Sequence, residues 1–105
     1  MTPEESIVLK RFRAALDEIY GARLERAVLY GSRARGDARE DSDYDIAVFL
    51  KDMESFSQEN DRISEIEIDI MNDTGAVINA MAFKEGAYQE RTGFMHEVRL
   101  EGIDL

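Results

Sequence analysis

Two short stretches carry residues that could do chemistry together. Gly31-Ser32 follows the run Arg26-Ala27-Val28-Leu29-Tyr30, and Asp43-Tyr44-Asp45 leads into a second run, Ile46-Ala47-Val48-Phe49-Leu50. A glycine directly after a strand lets the backbone turn sharply and approach a bulky anion. The N–H groups that follow it, with the Ser32 hydroxyl, can point at phosphate oxygens. Arg33, Arg35 and Arg39 add positive charge within nine residues of the turn, so the stretch reads as a triphosphate cradle in which Gly31, Ser32 and Arg33 hold the nucleotide. Asp43 and Asp45 stand two apart at the start of a strand, which sends both side chains to one face of a sheet. Two carboxylates aimed at one spot repel unless a cation neutralises them. Mg²⁺ binds through one or two carboxylates while substrate phosphates fill other positions, so a phosphate turn beside a paired Asp is chemically coherent. Phosphoryl or nucleotidyl transfer needs such positioning and charge neutralisation more than a protein nucleophile.

Each part alone has a plain reading: a turn, a solvated arginine face, two exposed residues at a strand end. Their order on successive strands joins them, and the surrounding elements must supply that order. Thr2 with Pro3 and Glu5 reads as a capping box with proline at the first helical position, and Val8, Phe12, Ala15, Leu16 and Ile19 recur at helical spacing up to Gly21. A helix is expected over 3–20, then strands over 26–30 and 45–50 around a polar loop. From Phe56 to Asn72 two periods compete. Ile66, Ile68 and Ile70 alternate as in a strand over 65–71, whereas Phe56, Ile63, Ile66, Ile70 and Met71 form a helical stripe. Length and Gly75 as a stop favour a helix over 56–73, followed by a strand over 76–83 and a helix over 92–100 before Gly102. The order predicts an α+β fold, a small sheet covered by helices.

With 105 residues the chain is expected to form a single domain, 1–105. Its 34% charged and 44% hydrophobic residues suit a soluble globular chain, with no stretch resembling a transmembrane span. A formal net charge of -10 argues against direct binding of long DNA or RNA. The excess lies in the second half: residues 51–105 hold 13 acidic and 5 basic side chains, against 10 and 8 in residues 1–50. The absence of cysteine excludes disulfides, thiolate catalysis and cysteine zinc sites, and His96 alone cannot build a multi-histidine site. Any metal must rest on oxygen ligands, which favours Mg²⁺, Mn²⁺ or Ca²⁺. Met1-Thr2-Pro3-Glu4-Glu5 lacks the features of a signal peptide, so a cytoplasmic location is expected.

Gly31-Ser32, Arg35-Gly36 and Ser42-Asp43-Tyr44-Asp45, in that order within the 18 residues from Gly31 to Val48, resemble the signature of the polymerase-beta-type nucleotidyltransferase superfamily, in particular its minimal nucleotidyltransferases. The resemblance implies a nucleotidyltransferase fold built on a twisted mixed sheet. Gly31 and Ser32 would hold the triphosphate of ATP or another NTP, and Asp43 and Asp45 would bind Mg²⁺, with a two-metal site as one form. It further implies transfer of a nucleoside monophosphate, AMP in the first instance, to a hydroxyl. With no room for an acceptor-binding domain in 105 residues, the acceptor is expected on another chain or a second copy of this one, which makes a homo-oligomer one option. Minimal nucleotidyltransferases pair with small helical HEPN proteins as antitoxin and toxin, and that partner is the resemblance's candidate.

The superfamily usually adds a third carboxylate from the next strand, and here the chain departs from the pattern. The stretch 76–83 contains no acid, and Asn79 stands about where one is expected. An amide oxygen can coordinate a metal but cannot carry the charge or take a proton. Asp69 would supply the acid if 65–71 were the strand, and Asp73 and Glu85 are weaker substitutes. An enzyme and a catalytically weakened module that binds and occludes a partner therefore stay open together. So does an accessory subunit of a larger transferase. Tyr30 and Tyr44 are expected to be packed strand residues, and His96 a structural residue of the last helix. The acidic run Glu59, Asp61, Glu65, Glu67, Asp69 and Asp73 reads as a solvated helix face, with a basic protein partner as the sharper alternative.

Overall fold

The computed structural model describes all 105 residues. The predicted capping box opens helix α1 (Pro3–Tyr20): the Glu5 N–H donates to Thr2 Oγ1 at 3.1 Å and the Thr2 N–H donates to Glu5 Oε1 at 2.8 Å. Both bonds satisfy N–H groups that a helix start leaves without an intrahelical acceptor. Val8, Leu9, Phe12, Leu16 and Tyr20 form the buried face of α1, while Ile19, expected on that stripe, lies in solvent. After a short 3₁₀ turn come strand β1 (Leu24–Tyr30), the one-turn helix α2 (Ser32–Arg35) and strand β2 (Tyr44–Leu50). Helix α3 (Phe56–Thr74) leads to strand β3 (Ile78–Lys84), and helix α4 (Gly93–Glu101) to strand β4 (Ile103–Asp104).

The sheet runs β3-β2-β1-β4. β1 is antiparallel to both neighbours, and β2 and β3 are parallel, joined by α3 as a crossover of the kind parallel neighbours require. β4, unforeseen from the sequence, pairs Ile103 with Leu29 and Asp104 with Val28; two residues are too few to leave a periodic signal. Helices cover both faces. Ala27, Leu29, Tyr44, Ile46, Val48 and Leu50 pack into the core with α1 and α3, whereas Val28, Ala47 and Phe49 pack with Met95 and Val98 of α4. This explains why β2 is apolar almost throughout instead of alternating. It also assigns Asp45, in step with Ala47 and Phe49, to the α4 side.

The competition over residues 65–71 resolves as helix. Ser55 caps α3, Gly75 ends it at φ 79°, and Ile63 and Ile70 are buried while Ile68 faces solvent. Asp69 therefore lies on an exposed part of a helix and supplies no third strand acid, which corrects the alternative that placed it there. The acidic run is also less uniform than a solvated face. Glu59 is buried and pairs with Arg23 at 2.7 Å and Arg62 at 3.0 Å. Glu67 Oε2 accepts the Ala80 N–H at 2.8 Å, and Asn60 Oδ1 accepts the Ala82 N–H at 3.2 Å. β3 is an edge strand whose outward amides need acceptors, and α3 provides them. No helix is long and apolar enough to cross a membrane.

Candidate active site

The antiparallel register pairs Tyr30 with Asp45, so the turn leaving β1 lies beside the acids entering β2. Gly31 adopts φ 77°, and a β-carbon there would stand 2.5 Å from Asp45 Oδ2. The glycine is thus required both by its backbone conformation and by the carboxylate against it. The Gly31 carbonyl accepts the N–H groups of Ala34 and Arg35, at 3.1 and 3.0 Å, which closes α2 over the turn. The Gly31 N–H donates to Glu101 Oε1 at 2.9 Å, whereas the Ser32 N–H and hydroxyl have no partner within the chain.

Asp43 is exposed and Asp45 partly buried, two residues apart at the mouth of β2. Burial pushes the Asp45 carboxyl above its ordinary value, and the negative charge of Asp43 pushes it further, while Asn79 and Arg35 pull it back and Glu101 adds to the rise. An acid pair strained in this way suits an oxygen-liganded divalent cation whose remaining positions a substrate's phosphates would fill. Asn79 lies directly opposite Asp45 in the parallel register, in the position expected for it. No group of three or more acidic or histidine side chains converges as a ready-made metal cage. Asp43 and Asp45 are the residues present that could hold the metal.

Arg33 and Arg35 are committed within the chain, whereas the Arg39 side chain makes no ion pair there. Arg33 Nε donates to the Ser42 carbonyl at 3.0 Å, its Nη2 to the Ser42 and Glu40 carbonyls at 2.7 and 3.1 Å, and its Nη1 pairs with Glu5 at 3.2 Å. Its guanidinium also lies 4.2 Å from the centre of the Tyr44 ring, which is buried beneath it. Arg33, expected as a nucleotide ligand, thereby also braces α1 against the loop that delivers Asp43. Arg35 pairs with Asp37 and Glu101, each at 3.2 Å. Glu101 is the site residue that sequence reasoning missed, because nothing local in the C-terminal stretch marks it as a neighbour of Gly31. His96, expected among core residues, is exposed, because Met95 and Val98 take the buried positions of α4. Tyr30 packs edge-on against Phe94, with centroids 5.3 Å apart. A cleft of about 700 Å³ lies behind the Asp43 loop, lined by Glu5, Val8, Arg33, Arg39 and Tyr44 among others; the turn and the acid pair lie outside it.

Residues 18–105 match the polymerase beta nucleotidyltransferase family. A protein of Methanocaldococcus jannaschii provisionally named a protein adenylyltransferase is 29% identical over 98 residues, covering 93% of this chain and 95% of the relative. Among solved structures, one provisionally named a minimal nucleotidyltransferase superposes with a TM-score of 0.63 at 21% identity, covering 99% of this chain and 97% of the other. A toxin–antitoxin structure with AMP-PNP gives a TM-score of 0.65 at 18% identity, covering 90% of this chain and 69% of the other. The expected α+β nucleotidyltransferase fold is the one observed. The acid pair beside the glycine turn thus sits in the fold to which its spacing pointed, and the chain belongs to the polymerase beta nucleotidyltransferase family.

Proposed function

We propose that the chain transfers AMP from ATP to a hydroxyl of a partner protein, acting as the antitoxin of a HEPN-type toxin in the cytoplasm. The observation that carries the transfer reading is that Asp45 stands where a β-carbon on Gly31 would lie, which sets the glycine turn directly beside the carboxylate pair. Ser32, with its N–H and hydroxyl unpaired, would meet the phosphates, and Asp43 and Asp45 would hold Mg²⁺. When bound, the cation would neutralise phosphate charge and favour loss of the hydroxyl proton. Transfer joins the acceptor oxygen to the α-phosphorus, breaks the α–β phosphoanhydride, and releases pyrophosphate and the hydroxyl proton. The acceptor assignment draws on the relative named as a protein adenylyltransferase and the toxin–antitoxin structural neighbour. An acidic chain would also suit a basic, RNA-binding partner better than RNA itself.

One observation favours a second reading. Asn79 stands where the superfamily places its third carboxylate, which suits a module that keeps the nucleotide turn but works by occluding its partner. The two separate on incubation of the complex with labelled ATP and Mg²⁺. Label on the partner that is lost with Asp43→Ala and with Asp45→Ala supports transfer. A tight complex without label, indifferent to both substitutions, sinks it.

A further inference from the structure

Glu101 reaches the glycine turn from a distant part of the chain. It is the last residue of α4, and the chain then lies against β1 as β4. Gly102 fixes that seat: a β-carbon there would collide with the Val98 carbonyl and the Val28 side chain. From this anchored position Glu101 Oε1 accepts the Gly31 N–H at 2.9 Å, and its two oxygens receive Arg35 Nη1 at 3.3 and 3.2 Å. The Glu101 side chain is only 20% exposed. Gly31 has no side chain to restrain it and holds a conformation open to few other residues, so its amide direction depends on what that amide binds.

We propose that Glu101 is a positioning residue of the nucleotidyl-transfer site, a latch from α4 that fixes the Gly31 amide and the Arg35 guanidinium so that Ser32 faces the nucleotide phosphates and Asp45 keeps its place. The proposal rests on the nucleotidyl-transfer reading of the turn. The competing possibility is a gate, in which the carboxylate occupies the phosphate's place and must leave. The latch is favoured because Glu101 engages the Gly31 N–H and Arg35 while the Ser32 donors stay unpaired, and because its backbone is seated on β1.

The test compares the full chain with Glu101→Ala and Glu101→Gln by amide hydrogen exchange without ligand and by Mg-ATP affinity in calorimetry. Glu101→Ala should deprotect the Gly31 amide and weaken Mg-ATP binding about tenfold, the scale of losing a hydrogen bond to a charged group. Glu101→Gln, whose amide oxygen can still accept the Gly31 N–H, should restore both to near wild type. Exchange at α1 and α3 should not change. Unaltered Gly31 protection in Glu101→Ala, loosening spread evenly over the whole chain, or tighter Mg-ATP binding would each overturn the latch, the last in favour of a gate. If the wild-type chain binds no Mg-ATP, the transfer reading fails and the positioning role falls with it, while Gly31 exchange still shows separately whether Glu101 holds the turn. Should Glu101→Ala not fold, Glu101→Met, which fills the space without an acceptor, takes its place.

Discussion

Asp45 occupies the space that a side chain on Gly31 would need, with its Oδ2 2.5 Å from that β-carbon position. A side chain added at Gly31 therefore has to displace Asp45. Gly31→Ala should destabilise the fold by about 1–3 kcal/mol through backbone strain alone, and the collision should displace Asp45 and depress transfer. Urea unfolding and labelled-ATP transfer check this; wild-type values in both would contradict the coupling.

Asp45→Asn should separate stability from function. The folded-state value of Asp45 is raised, first by burial and then by Asp43, so the fold binds its proton more readily than the unfolded chain does. Its charge consequently costs stability above that value, and the cost disappears below the ordinary 3.8. The variant should melt higher than wild type at pH 7 without metal, and the gap should close on acidification. Transfer should fall by about 10²-fold or more, the scale of losing a principal electrostatic contributor.

Glu5 has the opposite sign. The Thr2 backbone hydrogen bond, aided by Arg33, holds its carboxyl below the usual 4.5. Its contribution is complete above that value and is lost as pH falls through the lower, folded-state value. Glu5→Gln should cost about 1–3 kcal/mol at pH 7, and denaturation curves at falling pH should show the difference shrinking. A constant difference would mean that the charge is not involved. Arg33→Met should lower transfer through the Asp43 loop, with the KM for ATP less affected than kcat.

Glu67 tests the edge cap on β3. Glu67→Ala would leave the Ala80 N–H without its acceptor at a cost of about 1–2 kcal/mol and should promote self-association through the freed edge. Burial raises the Glu67 carboxyl, so Glu67→Gln, which keeps an acceptor without a charge, should be as stable as wild type at pH 7. Chemical unfolding and light scattering measure the two effects.

Asn79→Asp would place a third carboxylate opposite Asp45. Without metal the variant should melt below wild type because three acids then share one strand end, and millimolar Mg²⁺ should recover the loss. Melting unaffected by Mg²⁺ would argue against a cation position between β2 and β3.

Much of this was legible locally. The Thr2 and Glu5 cap, the apolar spacing of α1 and the apolar runs of β1 and β2 are written within a few residues of each other, where sequence periodicity and hydrogen-bond geometry coincide. The spacing of Asp43 and Asp45 and the glycine at 31 likewise pointed to the turn and the acid pair that β1 and β2 bring side by side, because period-two projection and glycine's freedom are properties of the chain itself. The roles of Arg33 and Glu101 were not legible. Arg33 meets Glu5 across 28 positions and Glu101 meets Gly31 across 70. Side chains so far apart in sequence leave no mark of partnership in composition or period. Which groups of the chain Arg33 meets, and which carboxylate takes the turn's first amide, was decided only when the sheet brought α1 and α4 to the two sides of β1 and β2.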